Sequence, residues 1–164
     1  MTDLPTRHAT KNDAHEMLRL VRVMWSDFGY SNVPAGEWEE NFHHIFNEKI
    51  ETDRDYRVVV IENPQSSNEL IAMGIGIIQQ VTPAFWITNG KMGYLQWFST
   101  ETSWRGQGLA TKILNELMQW FDENDVTRVQ LHSSSPAESL YRKHGFEDTN
   151  FPNLWWAKPS TEVE

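Results

Sequence analysis

The residues best suited to chemistry are two glycines in Arg105-Gly106-Gln107-Gly108, which stand between two apolar segments. The segment before them ends at Phe98 and is predicted as a strand, and the one after them begins at Leu109 with a helical repeat. The first turn of a helix carries unpaired N–H groups and partial positive charge, and glycine lets that backbone approach an anion closely. The pattern therefore favours a phosphate-binding turn, although Gly-x-Gly also marks ordinary turns.

This loop differs from the two best-known nucleotide-binding loops. No Lys-Ser/Thr pair follows the glycines, as a Walker loop requires. A dinucleotide-binding loop would have a third glycine and an acidic residue downstream, and both are missing. Arg105 adds charge-assisted hydrogen bonds at the same point. We therefore expect phosphate to be held by backbone N–H groups and one guanidinium.

The composition limits the classes of protein to which the chain can belong. Its 164 residues include no Cys, which excludes disulfides, thiolate metal sites and a cysteine nucleophile and favours an intracellular location. A formal net charge of −9 argues against nucleic-acid binding and is compatible with a cationic small molecule. The sequence shows no signal peptide and no apolar run of about 20 residues. A single cytoplasmic domain over residues 1–164, without a membrane partner, is expected.

Hydrophobic periodicity and turn residues predict the elements that must position the loop. Four helices and at least five strands are expected, in an order typical of a mixed α/β protein with helices on both faces of a sheet. The predicted helices cover residues 13–28, Gly36–Glu51, Leu109–Phe121 and Pro136–His144. The predicted strands cover Thr6–Thr10, Tyr56–Ile61, Leu70–Ile78, Tyr94–Phe98 and Val126–Ser133, with one or two closing strands between Phe146 and Lys158.

Two segments resemble signatures of the GNAT (GCN5-related) N-acetyltransferase superfamily. Arg105-Gly106-Gln107-Gly108-Leu109-Ala110 is similar to the family's Arg/Gln-x-x-Gly-x-Gly/Ala element. Leu140-Tyr141-Arg142-Lys143-His144-Gly145-Phe146 is similar to its later Leu-Tyr-x-x-x-Gly-Phe element. The resemblance spans nearly the whole chain and is strongest from Tyr94 to Phe146. It implies the GNAT-like α/β fold, a mostly antiparallel central sheet that is splayed where acetyl-CoA enters, with helices on both faces.

The resemblance also implies acetyl-CoA as cosubstrate and a role for each matching residue. Tyr141 would be the catalytic general acid that protonates the departing thiolate. Many family members have Asn where this chain has Ser134, which can still hydrogen-bond to the pantetheine but reaches less far. The main chain of residues 98–100 would pair with the pantetheine arm like an added strand. The cofactor-binding residues implied in this way are Phe98, Ser99, Thr100, Arg105, Gly106, Gln107, Gly108, Leu109, Ala110 and Ser134.

The sequence leaves open which base accepts the proton of the acceptor amine. The family often uses a carboxylate on the strand before the glycine loop, but Lys91–Phe98 contains no Asp or Glu. Glu101 and His132 lie near the ends of predicted strands, and a structural role is favoured for each. His43 and His44 are adjacent on a helix, so at most one can face a pocket. Without a third ligand at suitable spacing, no metal site is predicted.

The expected activity is acetyl transfer from acetyl-CoA to a primary amine by direct attack, in a monomer or homodimer. Glu37, Glu39 and Glu40 favour a small cationic acceptor, although acidic residues at the start of a helix also complement its dipole. A CoA-binding regulatory module without catalysis, a protein or peptide N-acetyltransferase and a different acyl donor remain alternatives. The aromatic residues that either line an acceptor pocket or fill the core are Trp25, Phe28, Tyr30, Trp38, Trp155 and Trp156.

Overall fold

The computed structural model describes residues 4–158. Their contacts divide them into two compact units, which meet between His132 and Ser133 in the sequence. The expectation of one domain over residues 1–164 stays a prediction. Among the described residues, no helix has the length and apolar character needed to cross a bilayer.

The first unit is built on a five-stranded sheet. Its first four strands pair antiparallel in sequence order, and the fifth lies parallel to the fourth. The mostly antiparallel sheet implied by the resemblance is confirmed. The strands are β1 (Thr6–His8), β2 (Tyr56–Asn63), β3 (Ser66–Gln80), β4 (Lys91–Thr100) and β5 (Arg128–Leu131).

Three helices cover the sheet of the first unit: α1 (Ala14–Asp27), α2 (Glu37–Lys49) and α3 (Leu109–Glu123). Met73 and Ile75 of β3 lie in a core cluster with residues of α1 and α2. Gly74, between them, faces α3 so closely that an added Cβ would lie 2.6 Å from Cγ2 of Ile113. Because successive strand residues point to opposite faces, α1 and α2 cover one face and α3 the other. The predicted helices on both faces are confirmed.

The hairpin between β2 and β3 is tighter than the sequence predicts. The two predicted strands end at Ile61 and begin again at Leu70, whereas the turn consists only of Pro64 and Gln65. Asn63 pairs with Ser66, so the ladder continues almost to the turn and β3 reaches 15 residues. Polar residues at an exposed hairpin end mark the turn correctly, but they do not show how far the backbone pairing extends.

The second unit contains a short helix, α4 (Glu138–Lys143). Gly145 follows it with φ of 86°, in agreement with the prediction that this glycine ends the helix. The expectation of closing strands is wrong for the described residues, because 146–158 contain no strand. A strand needs a partner for its N–H and C=O groups, and Pro152 lacks a donor. Trp155 and Trp156, in this segment, are 90% and 78% exposed.

Candidate active site

The centre of the site is β4, because its two edges are occupied differently. β3 pairs with β4 from Lys91 to Thr100, whereas β5 pairs with it only from Met92 to Leu95. Within residues 4–132, no strand lies against 96–100 on the side away from β3. The two strands therefore part at Leu95. The splay implied by the resemblance is present, and residues 98–100 lie on its open edge.

A β-bulge interrupts β4 on this open edge. Between two pairs of the ladder, β4 uses one residue more than β3, and Trp97 has φ of 52°, a left-handed conformation that is rare for a bulky residue. Beyond the bulge, the buried Ser99 donates a hydrogen bond from Oγ to the carbonyl oxygen of Leu20 in α1, at 2.7 Å. This bond fixes the end of β4 against α1, so the predicted Ser99 has a structural side chain.

The glycine loop leads from β4 into α3 as the sequence predicts. Gly106 and Gly108 have φ of 73° and 79°, which non-glycine residues rarely adopt. Among residues 4–158, no atom lies within 4 Å of a Cβ added to either glycine, so these residues leave the space beside the loop open. The N-cap residue of α3 is Gly108, which has no side chain to cap the helix, and the first turn of α3 contains no acidic residue. The N–H groups of Leu109 and Ala110 belong to this uncapped turn.

Arg105 ties the loop to two neighbouring elements. Its Nε donates to the carbonyl oxygen of Thr100 at 3.0 Å, and its Nη2 donates to Oδ2 of Asp27, the last residue of α1, at 2.7 Å. Contact of Arg105 with phosphate stays a prediction. Asp27 was not identified from the sequence, because an ion pair between residues 78 positions apart leaves no local signal.

Glu101 has the structural role favoured from the sequence. Its Oε1 accepts a hydrogen bond from the backbone N–H of Thr102 at 2.9 Å, and its Oε2 pairs with Arg19 of α1. The Arg19 guanidinium lowers the pKa of the Glu101 carboxyl below its ordinary value. A carboxylate that is held ionised by a salt bridge is a poor proton acceptor.

His132 lies where β4 and β5 part. Its Nδ1 is 3.3 Å from Oη of Tyr94, and the two rings meet edge to face with centroids 6.1 Å apart. On α2, His43 is half-buried against Phe42 and His44 is exposed. Across residues 4–158, no group of three side chains could hold a metal ion.

The aromatic residues proposed for an acceptor pocket divide into two groups. The ring of Trp25 lies 4.9 Å from that of Trp38 and 6.0 Å from that of Trp97, and Phe42 stacks on Trp97 at 6.0 Å. These four rings form the aromatic cluster on the face that carries α1 and α2. The others are not in this cluster: Phe28, Tyr30, Trp155 and Trp156 are exposed.

The acidic residues at the start of α2 do not act as a uniform group. Glu39 pairs with Arg22, whose guanidinium also lies 5.1 Å from the centre of the Trp38 ring. Glu37 and Glu40 are exposed. Two of the three carboxylates therefore remain available to a cationic ligand in solvent, and the third is neutralised within the protein.

The second unit holds the two remaining predicted residues. Tyr141 is buried on α4, and burial raises the pKa of its phenol to about 12. Its ring meets that of Phe146 edge to face, with centroids 5.8 Å apart. The carbonyl oxygen of Ser134 accepts hydrogen bonds from the N–H groups of Ala137 and Glu138 just before and at the start of α4. With a pKa of about 12, Tyr141 is protonated at any physiological pH.

Comparisons with known proteins match the chain to one family and to many solved structures. The model of the acetyltransferase (GNAT) family matches residues 17–146. A predicted acetyltransferase with acetyl-CoA from Clostridium acetobutylicum superposes with a TM-score of 0.80 at 24% identity, over 92% of this chain and 95% of that chain. A GCN5-related N-acetyltransferase from Ralstonia eutropha JMP134 gives 0.79 at 18% identity, over 96% and 98%. Glucosamine-6-phosphate N-acetyltransferase from Arabidopsis thaliana gives 0.74 at 20% identity, over 94% and 99%. A search of curated protein sequences finds no match.

We predict that Glu101→Gln destabilises the fold near neutral pH and loses this effect in acid. The amide keeps an oxygen for Thr102 but removes the charge that pairs with Arg19, which costs about 1–2 kcal/mol and lowers the melting temperature by about 2–8 °C. Because folding lowers the pKa of Glu101, its stabilisation is full above the ordinary carboxyl pKa of about 4.3 and declines as the pH falls through the folded value. Melting curves from pH 7 down to about pH 3 measure both parts.

Glu37→Gln is the matched control, because the side chain of Glu37 is exposed. It should leave the melting temperature within about 1 °C of that of the unaltered protein. Equal melting of Glu101→Gln and the unaltered protein at pH 7, or a difference that persists in acid, would contradict the assigned role.

Proposed function

The chain belongs to the acetyltransferase (GNAT) family and is by that membership an acyltransferase, and on this premise we propose that it transfers the acetyl group of acetyl-CoA to the primary amine of a small cationic molecule. One observation carries the proposal. The open edge of β4 leads directly into the uncapped start of α3 through two glycines with positive φ. Transfer is direct: the C–N bond forms as the C–S bond breaks, without a covalent enzyme intermediate.

The pyrophosphate of CoA is assigned to the start of α3. Backbone N–H groups of residues 107–110 supply hydrogen bonds, and the helix dipole favours negative charge there. The open space beside Gly106 and Gly108 supports this assignment, because phosphate oxygens need the volume that a Cβ would take. Arg105 contributes positive charge while it remains bonded to Thr100 and Asp27.

The pantetheine arm is assigned to the edge of β4 that β5 leaves open. Residues 98–100 there present backbone groups to a ligand that can pair like a strand. The side chain of Ser99 is turned into the protein and bonded to Leu20, so it contributes main chain only. Contact of Ser134 with the same arm rests on the resemblance.

A cationic acceptor is supported by charge and by aromatic surface. The chain has a formal net charge of −9, which attracts cations at long range. On the face that carries α2, the exposed Glu37 and Glu40 lie on the same helix as members of the aromatic cluster. Carboxylates and aromatic faces together suit an organic ammonium ion.

Tyr141 is proposed as the general acid, on the similarity of residues 140–146 to the family element. With a pKa of about 12, the phenol is always protonated and can donate to the developing thiolate. A thiolate is a weaker base than this phenolate, since an ordinary thiol has a pKa of about 8.5. Complete transfer of the phenol proton to the thiolate is therefore unfavourable. Tyr141 assists departure of the thiolate mainly by donating a hydrogen bond to the developing negative charge.

CoA binding tests the cofactor assignment through a matched pair of glycine variants. CoA at about 100 times its dissociation constant should stabilise the protein by about 2.7 kcal/mol, which is a melting shift of about 5–10 °C. Gly108→Val should abolish this shift. Gly29→Val should keep it, because Gly29 has almost the same φ and equally open surroundings but lies at the end of α1. Equal CoA shifts in both variants would make the loop an ordinary turn.

Tyr141→Phe should lower kcat about 10²-fold or more with little change in CoA binding, because it removes only the proton donor. Tyr56→Phe is the control: burial raises the pKa of Tyr56 to about 12 as well, but Tyr56 lies on β2. It should leave kcat within about twofold. Initial rates of CoA release measure both. A full rate in Tyr141→Phe would assign the proton to water or to another side chain.

An acceptor panel at two salt concentrations tests the substrate class. Polyamines, aminoglycosides, amino acids and peptides with free N-termini are compared by the rate of CoA release. Multiply charged amines should give the highest kcat/KM, and kcat/KM should fall with added salt because screening lengths shrink to about 8 Å at physiological ionic strength. A preference for anionic or peptide acceptors, or rates that salt does not change, would limit Glu37 and Glu40 to helix stabilisation. CoA binding without turnover of any amine would favour a regulatory module.

A further inference from the structure

We propose that His132 is the base that takes a proton from the acceptor ammonium group, and that Tyr94 positions its ring. This inference rests on the proposed function, because it takes the open edge of β4 as the site of acetyl-CoA. The sequence offers several candidates for this base and does not decide between them.

The two side chains lie together where β4 and β5 part. The parallel register aligns Tyr94 with Gln130, two residues before His132, so the two side chains point to the same face. Oη of Tyr94 is 3.3 Å from Nδ1 of His132. Tyr94 also pairs with Ile77 of β3, which packs in the core beside α1 and α2. The pair therefore faces the side from which we expect the cationic acceptor to approach.

The direction of the pantetheine arm brings the thioester toward this pair. The glycine loop follows Thr100, so an arm that starts at the loop and follows the open edge runs from Thr100 back toward Gln96. The open edge ends at Leu95, where β5 begins to pair. Tyr94 is two strand residues beyond Gln96, a distance of about 7 Å at about 3.3 Å per residue. The reacting carbonyl and the His132 ring are thus assigned to the same end of the open edge.

The hydrogen bond to Tyr94 selects the nitrogen that acts as base. When Nδ1–H donates to Oη of Tyr94, the lone pair of the neutral ring is on Nε2. Nε2 takes one proton from the ammonium group and passes it to solvent, which His132, an exposed residue, can reach. The neutral amine then attacks the thioester carbonyl. The nitrogen loses a second proton as the C–S bond breaks, and the departing thiolate takes up one proton, so one proton is released per turnover.

Two carboxylates of the first unit are already paired with arginines. Glu101 pairs with Arg19, and Glu39 pairs with Arg22. On the face of His132, β4 provides Tyr94 as its titratable side chain. β5 provides the uncharged Gln130 and the cationic Arg128, whose Nε donates to the carbonyl oxygen of Trp86 at 3.4 Å. The exposed carboxylates Glu37 and Glu40 lie on the first turn of α2, where they can attract the ammonium group. Among these side-chain types, imidazole is the one that can act as a base near neutral pH.

The first test is the rate of His132→Gln with the best acceptor of the panel. We expect kcat/KM to fall about 10²-fold at pH 7, and the deficit to shrink toward pH 10, where an ordinary amine of pKa about 10.4 is increasingly neutral without help. Added imidazole should restore part of the rate, and the melting shift with CoA should be unchanged. The control His44→Gln, exposed on α2, should keep the full rate. A full rate in His132→Gln, or a deficit that neither pH nor imidazole relieves, would overturn the proposal.

The spectroscopic part of the second test needs no acceptor. Nitrogen-15 spectra of the unaltered protein should show neutral His132 protonated on Nδ1, and Tyr94→Phe should shift it toward the Nε2-protonated form and lower kcat about tenfold. A ring already protonated on Nε2 in the unaltered protein would overturn the positioning role. Absence of any CoA melting shift would instead overturn the proposed function, and the spectra would still decide the His132–Tyr94 pairing.

Discussion

The rest of the site depends on one constraint. β4 pairs with β3 along its whole length, but it pairs with β5 only as far as Leu95. Backbone N–H and C=O groups in a protein interior need partners, so a strand that loses a neighbour must meet solvent, another segment or a ligand. α1 makes the arrangement stable from one side. It accepts a hydrogen bond from Ser99 at Leu20, pairs with Glu101 through Arg19 and holds Arg105 through Asp27. The open part of β4 is thus held in place by α1.

The features that the sequence predicts well are those with a local physical cause. Glycine is needed at positions 106 and 108 because φ is positive there, and the apolar repeat of α3 follows directly from the need to bury one helical face. The end of α4 at Gly145 has the same kind of cause. The closing strands were predicted wrongly because a strand depends on a partner elsewhere in the chain, and apolar residues near Trp155 do not specify one.

The parts of the site that the sequence does not reveal are contacts between distant residues and a strained backbone. Arg105 is predicted as a phosphate ligand from its neighbours, but its bond to Asp27 joins positions 78 apart. The bulge at Trp97 has no local signal, because tryptophan is unfavourable in that conformation and the surrounding packing must impose it. The Tyr94–His132 pair depends on the register of two parallel strands, which a single sequence does not encode in a short pattern.

The two substrates that we propose place opposite demands on charge, and the chain offers each a different kind of group. CoA is an anion, yet the chain has a net charge of −9, and Arg19, Arg22 and Arg105 are each paired with a carboxylate. The proposed pyrophosphate site therefore relies mainly on backbone N–H groups and the dipole of α3, which carry no net charge and act only at short range. A cationic amine is attracted at long range by the net charge itself. In the function we propose, backbone donors for the anion and carboxylates for the cation would let one acidic protein bind both.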